Sequence, residues 1–315
     1  MNHDITTAAC ATAAANQGRP IAIFVHVHFR DVWDEIASWI AQTIRRPFHL
    51  ILTTSHTDGG LRMPEGPLLV SQTVIVTANR GRDVRPFLEA LRTPIDYEIG
   101  LKLHTKRSTH RLEGGDWGRT LVQALLPGPE DVDRLVERMS EDRRLAMVAP
   151  DGMLVSLDRW MGSNRGMMRK AMARLSVGAL ESAPHPLVFC AGSMFWFRRE
   201  ALAPFRDNDL DDLFAAEAGQ VDGTMAHALE RLFAPVAELA TDGVITTMKG
   251  ASDLSSELSL ETLRTRSRRM ADQPTPYLRG PPRWVRWALL APGARAGYAA
   301  LPTGWRQWVR SRLRR

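Results

Sequence analysis

The sequence predicts an α/β fold: a mainly parallel, Rossmann-related sheet flanked by helices. Three observations carry that reading. Short β-branched and aromatic runs at Ile21–Phe29, Phe48–Thr53, Val70–Thr77 and Tyr97–Leu103 alternate with stretches of helical periodicity. Polar clusters stand where strands should end, at Asn79–Arg85 and Lys102–Lys106. No internal repeat of fixed period is present, which leaves out solenoids and propellers.

The elements follow in order. Ile21–Phe29 reads as a buried first strand. Asp31 is placed to N-cap a helix with Trp33, Ile36, Ala37, Ile40 and Ile44 on one face, and Pro47 stops it. Phe48–Thr53 and Val70–Thr77 are the next strands, Arg85–Leu91 a short helix and Tyr97–Leu103 a fourth strand. Helices are expected at Trp117–Leu126 and Glu130–Met139, split by Pro127-Gly128-Pro129, and a strand at Leu145–Val148. Arg165–Ala179 reads as a surface helix or loop, and Leu187–Phe197 as one long apolar strand. A helix over Gly223–Phe233 and a last strand over Gly243–Thr247 close the domain. The expected organisation is a leader over 1–19, one domain over 20–250, and a basic tail over 251–315.

Composition bounds the function. The chain has 315 residues, 44% hydrophobic, enough for one sizeable core. Cys10 and Cys190 supply no disulfide framework, which points to a reducing compartment. No apolar run reaches the roughly 20 residues of a membrane-spanning helix. From Thr262 onward there are 13 arginines and a single acid, Asp272, giving +12 against an overall +6, so the body carries −6. The basicity belongs to the tail, and nucleic-acid binding by the domain is not expected. Trp284, Trp287, Trp305 and Trp308 form two i, i+3 pairs among these arginines, a pattern suited to an anionic membrane surface. The expected location is cytoplasmic, peripheral on the inner face of the cytoplasmic membrane.

Three constellations carry the candidate chemistry. The first is Asn79-Arg80-Gly81-Arg82-Asp83 at a strand-to-helix turn, where Gly81 permits positive φ and Asp83 either caps the helix or faces a ligand. The second is Lys102-Leu103-His104-Thr105-Lys106. Strand alternation puts Lys102, His104 and Lys106 on one face, three cations able to hold a diphosphate where a metal would otherwise stand. His26 and His28 share a strand face and provide polar contacts to a nucleotide. With Asp83 and His104 they are the alternative metal set, which is not favoured. The third joins Gly192 and Ser193, small residues before a bulky run, to the segment Asp222-Gly223-Thr224-Met225-Ala226-His227-Ala228-Leu229-Glu230-Arg231. There Asp222 is the first choice of general base, with Glu217, His227 and Glu230 as alternates, and helix-capping is the competing role for Asp222.

These blocks, with Ala191-Gly192-Ser193-Met194-Phe195-Trp196-Phe197-Arg198, together resemble the rhamnan synthesis protein F family from about Ala22 to Thr247. The resemblance implies a part in building rhamnose-containing surface polysaccharide or lipopolysaccharide. The block order is also similar to the GT-A glycosyltransferase plan. That likeness implies a nucleotide-sugar donor and a lipid-linked or glycan acceptor, with Asn79, Gly81, Arg82, Asp83, Lys102, His104, Lys106, Gly192 and Ser193 on the donor side. The plan's Asp-x-Asp is replaced by Lys102, His104 and Lys106, so no metal cofactor is required by this reading. The same replacement supports the rival reading, a non-catalytic glycan-binding or assembly module.

Overall fold

The computed structural model describes residues 19–57, 60–105, 114–180, 183, 185–216, 222–253 and 257–272, the side chains of 114–116 aside. The expected leader, Lys106, Glu217 and the tryptophan-bearing part of the expected tail lie outside the described residues.

The first half alternates strand and helix as expected: β1 (Ile21–Val27), α1 (Arg30–Thr43), β2 (Phe48–Thr54), β3 (Leu69–Val76), α2 (Val84–Leu91) and β4 (Ile99–His104). Helices α3 (Gly114–Leu125) and α4 (Pro129–Glu141) lead to β5 (Leu145–Ala149). Then come β6 (Leu154–Ser156), the short helices α5 (Leu157–Trp160) and α6 (Arg165–Met172), β7 (Val188–Cys190), β8 (Phe195–Arg198) and α7 (Ala203–Asp207). The chain continues through α8 (Met225–Thr241), β9 (Val244–Thr247), α9 (Met248–Ser252) and α10 (Leu260–Ala271).

A seven-stranded sheet has the order β3-β2-β1-β4-β8-β5-β9, and β6 and β7 form a separate antiparallel pair. Only β8 among the seven runs against its neighbours. The strand order reverses between β1 and β4, which lie side by side with His26 opposite His104. Such a switch point opens a crevice beyond the strands' C-terminal ends, where ligands of open α/β sheets bind.

Burial explains why these segments became these elements. The strands β1, β2, β4 and β5 are covered on both faces and read as near-continuous apolar runs. The edge strand β3 alternates instead, and exposes Val70, Val74 and Val76. Helix α1 buries Trp33, Ile36, Ala37 and Ile40. In the centre, Phe24, Phe87, Tyr97, Phe195, Phe197 and Phe233 meet mostly edge to face with centroids 5.5–6.3 Å apart.

Two expectations are corrected. Leu187–Phe197 is not one strand: β7 and β8 belong to different sheets. Between them Gly192 and Ser193 adopt φ of +97° and +55°, which ends a strand. Asp31 is not an N-cap, since α1 begins at Arg30 after Phe29. The backbone N–H groups of His28 and Phe29 are instead taken by Thr105 Oγ1, at 2.8 and 2.9 Å, from the end of β4.

Beyond residue 250, helix α10 buries Leu263, Ser267 and Ala271 and packs on β6 and β9. Its Arg264 reaches Glu238 of α8 at 3.2 Å, and His185 Nε2 lies 3.3 Å from the same carboxylate. Burial lifts the Glu238 carboxyl to about 7, against the pull of Arg264 and Arg268. A folded pKa above the unfolded value stabilises at low pH, and that share is lost as pH rises from 4.5 through about 7. Glu238→Gln, which cannot ionise, is expected to flatten the pH dependence of urea unfolding across this window.

Candidate active site

The turn after β3 determines the first wall of the crevice. Gly81 and Arg82 adopt φ of +73° and +56° in succession. A Cβ on Gly81 would stand 2.5 Å from Arg85 Cβ and 2.7 Å from the ring of Phe214, so glycine is required by packing as well as by φ. The close approach that Gly81 permits is therefore to Phe214. Arg80 donates to Asp211 O at 3.1 Å and Arg85 to Asp211 Oδ2 at 2.6 Å, so both fasten the turn to the 209–214 loop. Arg82 is the exposed arginine of the cluster, held in a left-handed conformation that a non-glycine residue adopts only at a cost. Asn79 is exposed beside it.

Asp83 stands at the N-cap position of α2 but makes no capping hydrogen bond. Its Oδ2 accepts from Lys102 Nζ at 2.6 Å and lies 3.3 Å from His104 Nδ1. Lys102 is 1% exposed and also donates to Ser193 O at 2.6 Å and Ser193 Oγ at 2.9 Å. Its ammonium sits 5.1 Å from the Phe87 centroid and 5.9 Å from those of Phe195 and Phe233. An ammonium has three donors, and three acceptors take them. Lys102 thus corrects the expectation of a phosphate-facing cation. It is a buried tie between the two positive-φ turns, Gly81-Arg82 and Gly192-Ser193, that flank the crevice.

Gly192 donates its N–H to Glu230 Oε1 at 2.8 Å, which fixes the second turn to α8. The same carboxylate, together with burial, raises the Cys190 thiol, whose Sγ donates to Met194 O. Cys190 is an inert core residue.

On the β1 side, His26 Nδ1 is 3.0 Å from Thr53 Oγ1, and burial holds its imidazole down to about 4, so it is neutral at pH 7. His28 is exposed just past the strand, and its carbonyl accepts from His56 Nε2 at 3.0 Å. Among the described residues no three His, Cys, Asp or Glu side chains are grouped to hold a metal ion. The alternative set of His26, His28, Asp83 and His104 is therefore not assembled as a chelate.

Asp222 does not cap the helix that follows it. The cap of α8 is Thr224, in a capping box closed by His227. Asp222 accepts from Ser163 N at 3.0 Å and Asn164 Nδ2 at 2.7 Å, with Arg231 at 3.5 Å. Partial burial pushes its carboxyl up, but the Ser163 and Asn164 hydrogen bonds and the Arg231 charge outweigh that and hold it below the usual range. A carboxylate so satisfied is a weak proton acceptor at neutral pH. Its depressed pKa contributes stability above 3.8 that is lost as pH falls through the folded value. Asp222→Ala is expected to loosen the 161–164 turn and lower stability at pH 7 more than at pH 3, as thermal unfolding at the two pH values would show.

His227 is the third residue of α8. Its ring is buried, Nδ1 lies 2.8 Å from Thr224 Oγ1, and burial, followed by the charge of Arg82, lowers its pKa. The Thr224 backbone N–H donates to Nδ1 at 3.4 Å to close the capping box, so Nδ1 is the acceptor and the neutral ring carries its proton on Nε2.

The sequence did not single out Thr105, Asn164, Arg231, His56 or Phe214 for these positions. Thr105 lay within a quoted motif. Asn164 stands 58 residues from Asp222, and no local pattern announces that bond.

The fold is an α/β one with a mainly parallel sheet whose strand order switches between β1 and β4, and Lys102 ties together the two positive-φ turns at 81–82 and 192–193. The chain belongs to the rhamnan synthesis protein F family, which it matches over residues 1–241. It is 33% identical over 270 residues to WxcX, an uncharacterized protein of Xanthomonas campestris pv. campestris, in strain B100 and equally in strain ATCC 33913. That match covers 83% of this chain and 36% of the relative, so the chain spans about a third of the length of these curated relatives. Among solved structures, S. aureus TarS 1–349 aligns over 92% of this chain and 78% of that one, at 11% identity and a TM-score of 0.37, a weak likeness.

Proposed function

We propose that this domain is a glycosyltransferase of surface-polysaccharide assembly, moving a sugar from a nucleotide donor to a lipid-linked or glycan acceptor. Family membership supports the polysaccharide context. The observation that carries the reading is the pair of positive-φ turns tied by Lys102 beside the switch point, with the exposed Arg82 on the first of them. Strain held at a crevice marks a site where backbone geometry serves a ligand.

In this reading Arg82, with His104 and Lys106, meets the diphosphate, and its guanidinium stabilises the charge that grows as the sugar leaves. Asp83, held by Lys102, orients the nucleotide or sugar, and His26, His28 and Asn79 line the nucleotide side. A carboxylate, Asp222 or Glu217, takes the acceptor hydroxyl's proton, and His227 Nε2–H is left to donate to a substrate oxygen. Rhamnose is the family-based choice of sugar. The basic tail would bring the domain to the inner face of the cytoplasmic membrane. Among the described residues no helix is long and apolar enough to cross a membrane.

Calorimetric titration with dTDP, UDP and GDP, each with and without EDTA, tests this. Binding of one diphosphate that Arg82→Gly weakens supports the reading. Binding of none would sink it in favour of a non-catalytic assembly module.

A further inference from the structure

A cavity of about 500 Å³ is lined by residues that the roles above do not use. It opens between α5–α6 and the segments 177–180 and 185–187. Met161, Met168, Met172, Leu180 and Leu187 form its walls. Its size falls in the range that holds a drug-sized ligand, and methionine walls adapt to flexible chains.

Charge is arranged along its mouth. Arg165 and Arg169 line it at i, i+4 spacing on α6, parallel to the Met168–Met172 pair on the same helix. Nearby arginines have counterions: Arg174 meets Asp212 at 2.8 Å and Arg159 meets Asp272 at 3.2 Å. Arg165 and Arg169 are exposed, and their side chains make no ion pair or hydrogen bond among the described residues. Asp158 is the one carboxylate among the described lining residues. Arg165 opens α6, where the helix dipole disfavours a cation and favours an anion, so its position is best balanced by a bound negative group.

The cavity also adjoins the proposed reaction centre. Met161 and Arg165 flank the Gly162–Asn164 turn, and Asp222 grips that turn just before the helix that bears His227.

We propose that this cavity is the acceptor site and takes a lipid phosphate, its apolar chain in the methionine-lined trough and its phosphate or pyrophosphate between Arg165 and Arg169. This rests on the transferase reading for the word acceptor, while binding itself can be measured without turnover. A charged head over an apolar chain matches the adjoining basic and apolar stripes, as neither a free sugar nor inorganic phosphate does.

The test uses the full chain and titrates farnesyl phosphate, farnesol, inorganic phosphate and phosphatidylglycerol vesicles. Farnesyl phosphate should bind at least ~10-fold tighter than farnesol, one charge-assisted contact being worth about that factor. The Arg165→Glu/Arg169→Glu variant should lose that advantage while farnesol, vesicle and nucleoside diphosphate binding stay unchanged. Met172→Trp should weaken farnesyl phosphate and farnesol alike. Equal farnesyl phosphate affinity in the parent and the arginine variant would overturn the proposal. So would loss of vesicle binding in that variant without loss of farnesyl phosphate, which would give the arginines to bilayer headgroups. Failure of every nucleotide to bind would strike the transferase reading and leave the lipid-phosphate site standing.

Discussion

Lys102→Met is expected to lower the unfolding free energy by about 3–5 kcal/mol, the cost of removing one partner from a buried ion pair. The ammonium it removes is 1% exposed and serves Asp83 Oδ2, Ser193 O and Ser193 Oγ at 2.6, 2.6 and 2.9 Å. Methionine keeps the contact with Phe87, Phe195 and Phe233 but leaves a carboxylate and a backbone carbonyl without a donor. Both strained turns lose their common anchor, so nucleotide binding should fall with stability. Urea unfolding at pH 7 measures the first effect and calorimetry the second. Adding Asp83→Asn to the same chain removes the stranded charge. It should restore part of the stability and none of the binding, because neutral pairs replace a broken ionic one while the turns stay untied. A Lys102→Met protein of parental stability would mean that the turns hold themselves.

That expectation departs from what the motif alone conveys. Lys102, His104 and Lys106 read as a row of cations on one strand face, and the alternation of β4 is real. Alternation cannot tell which face is lined by aromatic rings and which by water. The rings that enclose Lys102 come from α2, β8 and α8, up to 131 residues distant in the chain, and no local pattern brings them together. The same holds for Arg198, whose place beside Trp196 and Phe197 is explained only in three dimensions. It is 1% exposed and donates to Glu98 at 2.6 Å and to the carbonyl of Met139.

What was legible is equally physical. Strands covered on both faces must be apolar throughout, so β1, β2, β4 and β5 announce themselves, and the helix at α1 shows its stripe. The break at Gly192-Ser193 was harder to see, because the residues on either side are all apolar and the two strands lie in different sheets. Asp222 illustrates a third limit. Its position before a helix fits a cap or a base equally well in one dimension, and it proved to bond across 59 residues to the Ser163 backbone.

Arg82→Gly separates side chain from backbone at the one exposed arginine of the first turn. At φ +56° glycine is at ease where arginine is strained, so the variant should be as stable as the parent or slightly more so. The charge is lost, and with it a charge-assisted contact to a diphosphate worth about 1.5–3 kcal/mol, or roughly 10- to 150-fold in affinity. A second readout comes from the opposite wall. Arg82 helps hold the His227 pKa down, so its removal should let that pKa rise toward 6.5, though burial still keeps it lower. Proton NMR titration of the His227 ring follows this directly. Weaker nucleotide binding with a raised His227 pKa and unchanged unfolding would place both side chains on one ligand. A raised pKa with unaltered nucleotide affinity would leave Arg82 as an electrostatic neighbour of His227 and take it out of the donor site, whereas an unmoved pKa would separate the two walls altogether.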